Sequence, residues 1–319
     1  MRLFQLIALF CWGCHTEYEL CKTELGTGIG ESQEALTVRT PRIWRKRKIV
    51  VCFDDTTYEK AAYGKWRSVV KKSVKESWVK ALAEEHIRPK NRLDFVGWKR
   101  CDTFTNEDVF VYAGKTSHAG ARGAASLGEQ WILENHVTLN FDLFEQQDRK
   151  RKEPTIQVGY QQFPVSLVSK ESLRKEGLHP ETVARLWRNA KKTSREWKEG
   201  RFNRASSTII HEFGHVLGFD HTQVRSDTPE WCSELLKNEN LDGIPSKDTP
   251  FFNYGVALGA WDEQSVMNYC NREEGGHLSE LDIIGVRAIY NHLSVMAGES
   301  VSNDEICSQF GKEWEKYQD

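Results

Sequence analysis

The stretch HEFGHVLGFDH, residues 211–221, contains three of the ten histidines in this 319-residue chain. In an α-helix, side chains four residues apart lie on one face, so His211 and His215 would project side by side. Two imidazoles at this spacing can bind one zinc ion, and Glu212 would be within reach of a water molecule on that ion. The spacing therefore predicts a zinc site with a base beside it.

A glycine three residues after the second histidine indicates how a third ligand could join. Gly218 can adopt a positive φ, so the chain can leave the helix there and bring His221 back toward the other two histidines. Three protein ligands leave one coordination position for water, as in catalytic zinc sites. The alternative is a helix that carries solvated or packed histidines. By composition, three histidines and a glycine at these offsets arise by chance on the order of once in a thousand such chains, which favours the zinc site.

A sheet and several helices are predicted to position this stretch. Residues 48–53 are dense in β-branched side chains, which is typical of a buried strand. Apolar residues then recur at three- and four-residue steps from Trp66 to Leu82, as in an amphipathic helix. Further strands are predicted at 93–98, 108–112 and 136–141, and further helices at about 180–198, through the histidine stretch, and after the N-cap Ser279. This order predicts an α+β fold, in which a mixed, twisted sheet carries a crossover helix and the histidine helix.

By composition, the chain divides into three parts. Residues 1–13 contain an apolar run after a single arginine, which is typical of a signal peptide and too short to span a bilayer. Residues 14–43 are polar and glycine-containing, so we expect a tether or a short pro-segment. Residues 44–319 are predicted to form one domain. Its N-terminal subdomain would span about 44–218, with a loop at 114–130, and its irregular C-terminal subdomain, about 219–319, would end in a helix.

Eight cysteines and the signal peptide predict export, to the extracellular space or a bacterial cell envelope. Cleavage after Gly13 leaves seven cysteines, and six if Cys14 carries a lipid, as in bacterial lipoproteins. Free secretion and lipid anchoring both stay open, and a lipid on Cys14 is the only membrane attachment we expect. The net charge of −2 gives no reason to expect a nucleic-acid partner. The short basic runs at 45–48 and 149–152 are interpreted as solvated surface rather than as a binding patch or processing site.

Two motifs resemble those of a known family. HEFGHVLGFDH matches HExxHxxGxxH, the extended zinc motif of the metzincin metallopeptidases, and SVMNY at 265–269 resembles their Met-turn. Residues 278–290 resemble the C-terminal helix of astacin-like and matrixin-like members, so the resemblance covers about residues 48–292. It implies a metzincin-type zincin fold. Thr222 resembles the matrixin pattern and Tyr269 that of astacins, so the subfamily stays open between bacterial astacin-like and matrixin-like enzymes.

The resemblance implies a zinc-dependent endopeptidase, a hydrolase that cleaves peptide bonds with a zinc-bound water. His211, His215 and His221 would bind one catalytic Zn²⁺. Glu212 would act as the general base on the water. Tyr269 would donate a hydrogen bond to the oxyanion.

The substrate expected from this resemblance is a protein or peptide. It would pair with an exposed edge strand, for which residues 136–141 are the candidate, and we expect the enzyme to be a monomer. Two other interpretations stay open. One is a catalytically silent, zinc-stabilised binding protein, against which the presence of Glu212 argues. The other is a protease toxin of narrow specificity, which no sequence feature separates from a general peptidase.

Six cysteines beyond the signal peptide and Cys14 could form three disulfide bonds in fifteen ways. A bridge between the third histidine and the Met-turn would brace the irregular segment there, and a second would join two strands. The pairs predicted on this basis are Cys232 with Cys270, Cys52 with Cys101, and Cys21 with Cys307.

Overall fold

The computed structural model describes residues 19–20, 34–38, 42–54, 60–83, 92–101, 107–113, 123–126, 135–140, 154–158, 161–225, 227–238, 256–259, 261–270, 276–291 and 302–318. The strands are β1 Glu19–Leu20, β2 Glu34–Val38, β3 Lys48–Asp54, β4 Asp94–Arg100, β5 Val109–Ala113, β6 Gly123–Ala125, β7 Asn135–Leu139, β8 Thr155–Val158, β9 Gln161–Pro164, β10 Phe219–Asp220 and β11 Val256–Gly259. The helices are α1 Lys60–Val74, continued by a π-helical turn at Lys75–Val79, α2 Lys170–Lys175, α3 Pro180–Val216, α4 Glu230–Asn238, α5 Glu280–Tyr290 and α6 Asn303–Gln318. The predicted α+β class is confirmed.

The main sheet has the strand order β4-β3-β5-β7-β6. Strands β4, β3, β5 and β7 are parallel, and β6 is antiparallel to β7. Helix α1 makes the crossover between the parallel strands β3 and β4, as predicted. Its apolar residues recur every three or four positions, so they lie on one face of the helix and are buried against the sheet.

The predicted edge strand is wrong. Strand β7, which contains most of residues 136–141, is hydrogen-bonded to β5 on one side and to β6 on the other. The outer strand is β6, which lies inside the segment 114–130 that the sequence indicated as a loop. Its sequence is Gly-Ala-Ala, without the β-branched or aromatic side chains that make a strand visible in a sequence.

A second, smaller sheet has the order β1-β11-β2-β10. Strand β2 lies within the N-terminal segment 14–43, and its side chains Leu36 and Val38 are fully buried. It pairs antiparallel with β10 and with β11. The segment predicted as a tether or pro-segment thus contains a strand that is packed into the fold.

The histidine stretch 211–221 begins at the end of an unusually long helix. Helix α3 has 37 residues, about 55 Å at 1.5 Å per residue, where the sequence predicted two separate helices. Gly200 does not interrupt it, because a single glycine costs a helix only about 1 kcal/mol relative to alanine. Outside the main core, β8, β9, α2 and the first part of α3 share an apolar cluster around Val158, Leu173 and Val183. None of the described helices is both long and apolar enough to cross a bilayer.

Two predicted disulfides are confirmed. Cys52 is bonded to Cys101, which joins the end of β3 to the end of β4, and Cys232 is bonded to Cys270. Cys307 is also in a disulfide, while its predicted partner Cys21 lies outside the described residues.

Removing the bond between β3 and β4 should lower stability. In the variant Cys52→Ala/Cys101→Ala we expect the free energy of unfolding to fall by about 2–4 kcal/mol, because the unfolded chain regains the entropy of a 49-residue loop. Denaturant titration of the wild type and the variant measures the difference. Peptide mapping should recover the two cysteines of the wild type in one linked pair, and equal unfolding midpoints would contradict the prediction.

Candidate metal and active site

The three histidines of the opening stretch come together. The Nε2 atom of His221 lies 3.1 Å from Nε2 of His211 and 3.0 Å from Nε2 of His215. The other ring nitrogen of each helical histidine donates to a backbone carbonyl: His211 Nδ1 to Val266 O at 2.7 Å, and His215 Nδ1 to Phe219 O at 2.8 Å. Because a carbonyl only accepts, these bonds place the proton on Nδ1 and leave Nε2 of His211 and of His215 as lone-pair donors.

This donor set fits a zinc ion. Bonds of about 2.0–2.1 Å from a tetrahedral zinc separate the ligand nitrogens by roughly 3.3 Å, close to the distances between these Nε2 atoms. Burial and the neighbouring His215 lower the pKa of His211 to about 3, so this imidazole is neutral, the form that binds metal. His211, His215 and His221 are the residues that could hold the ion.

A left-handed glycine brings the third histidine into position. Gly218 has φ +90°, and its N–H donates to His215 O at 2.8 Å, which ends helix α3. A Cβ on this residue would lie 3.1 Å from the carbonyl oxygen of Arg42. The turn leads directly into β10, whose pairing with β2 fixes the chain just before His221.

Two buried aromatic residues satisfy carbonyls at the end of α3. Trp44 Nε1 donates to Val216 O at 2.5 Å, and the Tyr290 hydroxyl donates to Leu217 O at 2.6 Å. The last carbonyls of a helix have no partner inside it, and in a buried position an unpaired carbonyl is costly. Trp44 and Tyr290 therefore hold the end of the helix that carries the histidines.

The Met-turn residue lies beneath the histidine helix. Met267 is fully buried, and a Cβ on Gly214 would collide with its sulfur. Glycine at position 214 therefore allows the methionine to approach the helix between His211 and His215. The sequence predicted the Met-turn but indicated no role for Gly214, although this residue lies within the HEFGH motif.

A buried carboxylate links the Met-turn to the last helix of the site. Asp282 accepts hydrogen bonds from Ser265 Oγ at 2.7 Å, from Val266 N at 2.8 Å and from Ser279 N at 3.0 Å. Val266 in turn supplies the carbonyl that binds His211 Nδ1. Ser279 was predicted as the N-cap of this helix. The sequence reasoning missed that Asp282 completes the capping box and also binds the Met-turn. The sequence feature that could have indicated this role is the Ser-x-x-Asp spacing, which is typical of a capping box.

The two other predicted site residues lie beside the histidines. Glu212 is buried, and desolvation raises its pKa to about 8; a divalent cation at the histidines would draw this pKa down. Tyr269 is 41 % exposed, and its ring centre lies 4.6 Å from that of His221 and 5.1 Å from that of His211. Burial of its hydroxyl and the charge of Glu212 raise the pKa of Tyr269, so the hydroxyl stays protonated.

Comparison with known proteins gives distant structural likenesses alone. No family model matches the chain, and no curated protein is similar to it in sequence. Among solved structures, myroilysin is similar, with a TM-score of 0.38, 16 % identity, and coverage of 80 % of this chain and 98 % of that one. High choriolytic enzyme 1, a hatching enzyme zinc-protease from the medaka fish Oryzias latipes, has a TM-score of 0.34, 15 % identity, and coverage of 79 % and 96 %. At such distance, function must be inferred from the geometry of the site itself.

Stability should depend on pH through Asp282. Burial, with a contribution from Asp262, raises the pKa of Asp282 to about 7, whereas in the unfolded chain it is near 4. Between these values the folded protein holds a proton that the unfolded chain releases, so the free energy of unfolding should fall as pH rises from about 4 to 7, by up to about 4 kcal/mol.

The variant Asp282→Asn isolates this contribution. Its amide resembles the protonated acid and can still accept from Val266, so stability should depend less on pH between 4 and 7. Denaturant titrations at several pH values, with chelator present to remove metal effects, measure both slopes. Identical slopes for the variant and the wild type would show that Asp282 does not titrate in this range.

Proposed function

We propose that this chain is a zinc-dependent endopeptidase. The observation that carries the proposal is the convergence of Nε2 of His211, His215 and His221, with the buried Glu212 on the same helix and the ring of Tyr269 packed against two of the imidazoles. A structural site would have no need for a buried carboxylate next to its ligands, because burying an unpaired carboxylate costs stability.

The chemistry divides between the ion and the chain. A zinc ion held by the three histidines would supply Lewis acidity, which polarises a carbonyl and lowers the pKa of water toward about 7. Glu212 would accept a proton from the attacking water and deliver it to the leaving amine. Burial alone raises the pKa of Glu212, and a divalent cation at the histidines would lower it again, so the carboxylate would be ionised and able to accept the proton.

Tyr269 would stabilise the charge that develops on the scissile carbonyl oxygen. Its hydroxyl stays protonated and can donate a hydrogen bond. Its position is maintained from both sides: Tyr269 N donates to Gln223 Oε1 at 3.3 Å, and Cys270, the next residue, is bonded to Cys232.

The substrate would be a protein or peptide in an extended conformation. Within the described residues, β6 pairs on one side only and packs against α3, so its free edge is available for an added strand. This strand replaces β7 as the candidate. Two disulfides are compatible with an extracellular location. Export, either by free secretion or with a lipid on Cys14, a monomeric enzyme and the absence of a nucleic-acid partner remain part of the proposal.

Replacing the base should stop cleavage without removing the metal. In Glu212→Gln we expect about one zinc per chain, as in the wild type, and a fall of about 10²–10⁴-fold in cleavage of a denatured protein. Zinc content and peptidase rate are measured on the same samples. Residues 34–38 must be kept, because β2 supports the turn before His221.

Glu234→Gln, an exposed position on α4, is the matched control and should leave the rate unchanged. If the wild type binds zinc but cleaves neither denatured proteins nor peptide libraries, the binding protein or the protease of narrow specificity becomes the better explanation. If the wild type binds no zinc, the metal site itself is excluded.

Removing the tyrosine hydroxyl should lower turnover rather than binding. In Tyr269→Phe we expect kcat to fall by about 10²–10³-fold with zinc content unchanged, because one oxyanion donor is lost. Steady-state kinetics on a single peptide separates kcat from KM. A raised KM at unchanged kcat would assign Tyr269 to substrate packing instead.

A further inference from the structure

The β8–β9 hairpin, α2 and the first part of α3 form a positively charged unit, here called the accessory module and limited to residues 154–158 and 161–194. It carries seven lysine and arginine side chains, all exposed, and three glutamates, a net charge of +4. The whole chain has a net charge of −2, so the remainder carries −6. In the sequence, Glu153 and Pro154 separate the basic run 149–152 from strand β8.

Two of these cations share one aromatic ring. The Nζ atoms of Lys170 and Lys191 each lie 4.5 Å from the ring centre of Trp187, so the two ammonium groups are at most about 9 Å apart. Cation–π attraction holds each lysine at the ring, while their like charges repel. An anion placed between the two ammonium groups would remove this repulsion.

An exposed aliphatic side chain lies three residues before Lys170 in the sequence. Leu167 is 70 % exposed, the most exposed of the large apolar side chains in the described part of the chain. It ends the turn between β9 and α2, and Lys170 is the first residue of α2. Leu167 does not belong to the module's own apolar cluster, which is formed around Leu173 and its neighbours.

We propose that the accessory module binds an anionic phospholipid surface, with Leu167 inserted among the lipids and Lys170 and Lys191 on their phosphates. Basic residues at an anionic bilayer each raise the affinity about fivefold, and the effect decays within a Debye length. Arg185, Arg188 and Lys192, three and four residues apart on α3, add to the same field.

The exposed aliphatic side chain of Leu167 favours a lipid surface over other polyanions. A polysaccharide or a nucleic acid would be recognised by cations and by stacking on exposed rings, and Leu167 would remain in water. In a bilayer, Leu167 would leave water and gain affinity by burial, in addition to the charge attraction. This inference does not depend on the proposed peptidase activity, since binding is measured without cleavage.

Vesicle co-sedimentation of the purified chain, with the background substitution Cys14→Ser in every variant so that no lipid is attached there, tests the proposal. Wild type should bind vesicles of phosphatidylcholine with 30 % phosphatidylglycerol at low salt, should not bind pure phosphatidylcholine, and should be released by added salt. The double variant Lys170→Glu/Lys191→Glu should bind at least tenfold more weakly. Leu167→Asp should also bind several-fold more weakly, although it removes no cation.

The control for net charge is Lys71→Glu/Lys80→Glu, which makes the same change of charge at an exposed position of α1 and at the exposed residue that follows the π-helical turn, and should bind as the wild type does. Equal loss in the control and the module variant would overturn the assignment to the module. Binding to heparin but not to vesicles, or binding to vesicles that is unaffected by Leu167→Asp, would overturn the lipid surface as the partner.

Discussion

Imidazole nitrogens that direct lone pairs at one another across 3.0–3.1 Å repel, unless a cation or a proton lies between them. The fold must therefore hold the rings against that repulsion whenever the cation is absent. It does so through the opposite side of two rings, where Val266 O and Phe219 O each accept an N–H. A ring held by its Nδ1–H keeps both its tautomer and its direction, and metal-binding histidines usually need such support.

Each of those two carbonyls is itself fixed by a different part of the chain. Val266 belongs to the Met-turn and is bound at its N–H by Asp282 of helix α5. Phe219 belongs to β10 and pairs with Val38 of β2, an N-terminal strand distant in sequence. The histidine stretch supplies the ligands, while segments near both ends of the domain supply their orientation. The site is therefore a long-range product of the fold, and local helix formation alone would not build it.

The ligands come from one local stretch and their supports from distant segments, and this difference explains which features the sequence could predict. The spacing of His211 and His215 and the glycine at 218 are local signals, so the grouping of the histidines could be anticipated. The parallel strands β3, β5 and β7 were visible because they are rich in β-branched and aromatic side chains. Strand β6 could not be predicted, because its sequence Gly-Ala-Ala has no β-branched or aromatic side chain. For that reason the edge of the sheet was wrongly assigned to residues 136–141. The role of β2 depends on pairing between distant segments, which no short pattern reports.

Helix α3 connects the site to the accessory module, and its length determines how the two can influence each other. From Trp187 to His211 there are 24 residues, about 36 Å along the helix at 1.5 Å per residue. Charges separated by more than the Debye length, about 10 Å at 0.1 M salt, are largely screened in solvent. Anions bound at the module would therefore leave the pKa values at the histidines unchanged. Any coupling between the two must therefore act through the position of the helix: a module fixed on a surface would hold the histidine site tens of ångströms from Trp187 along α3.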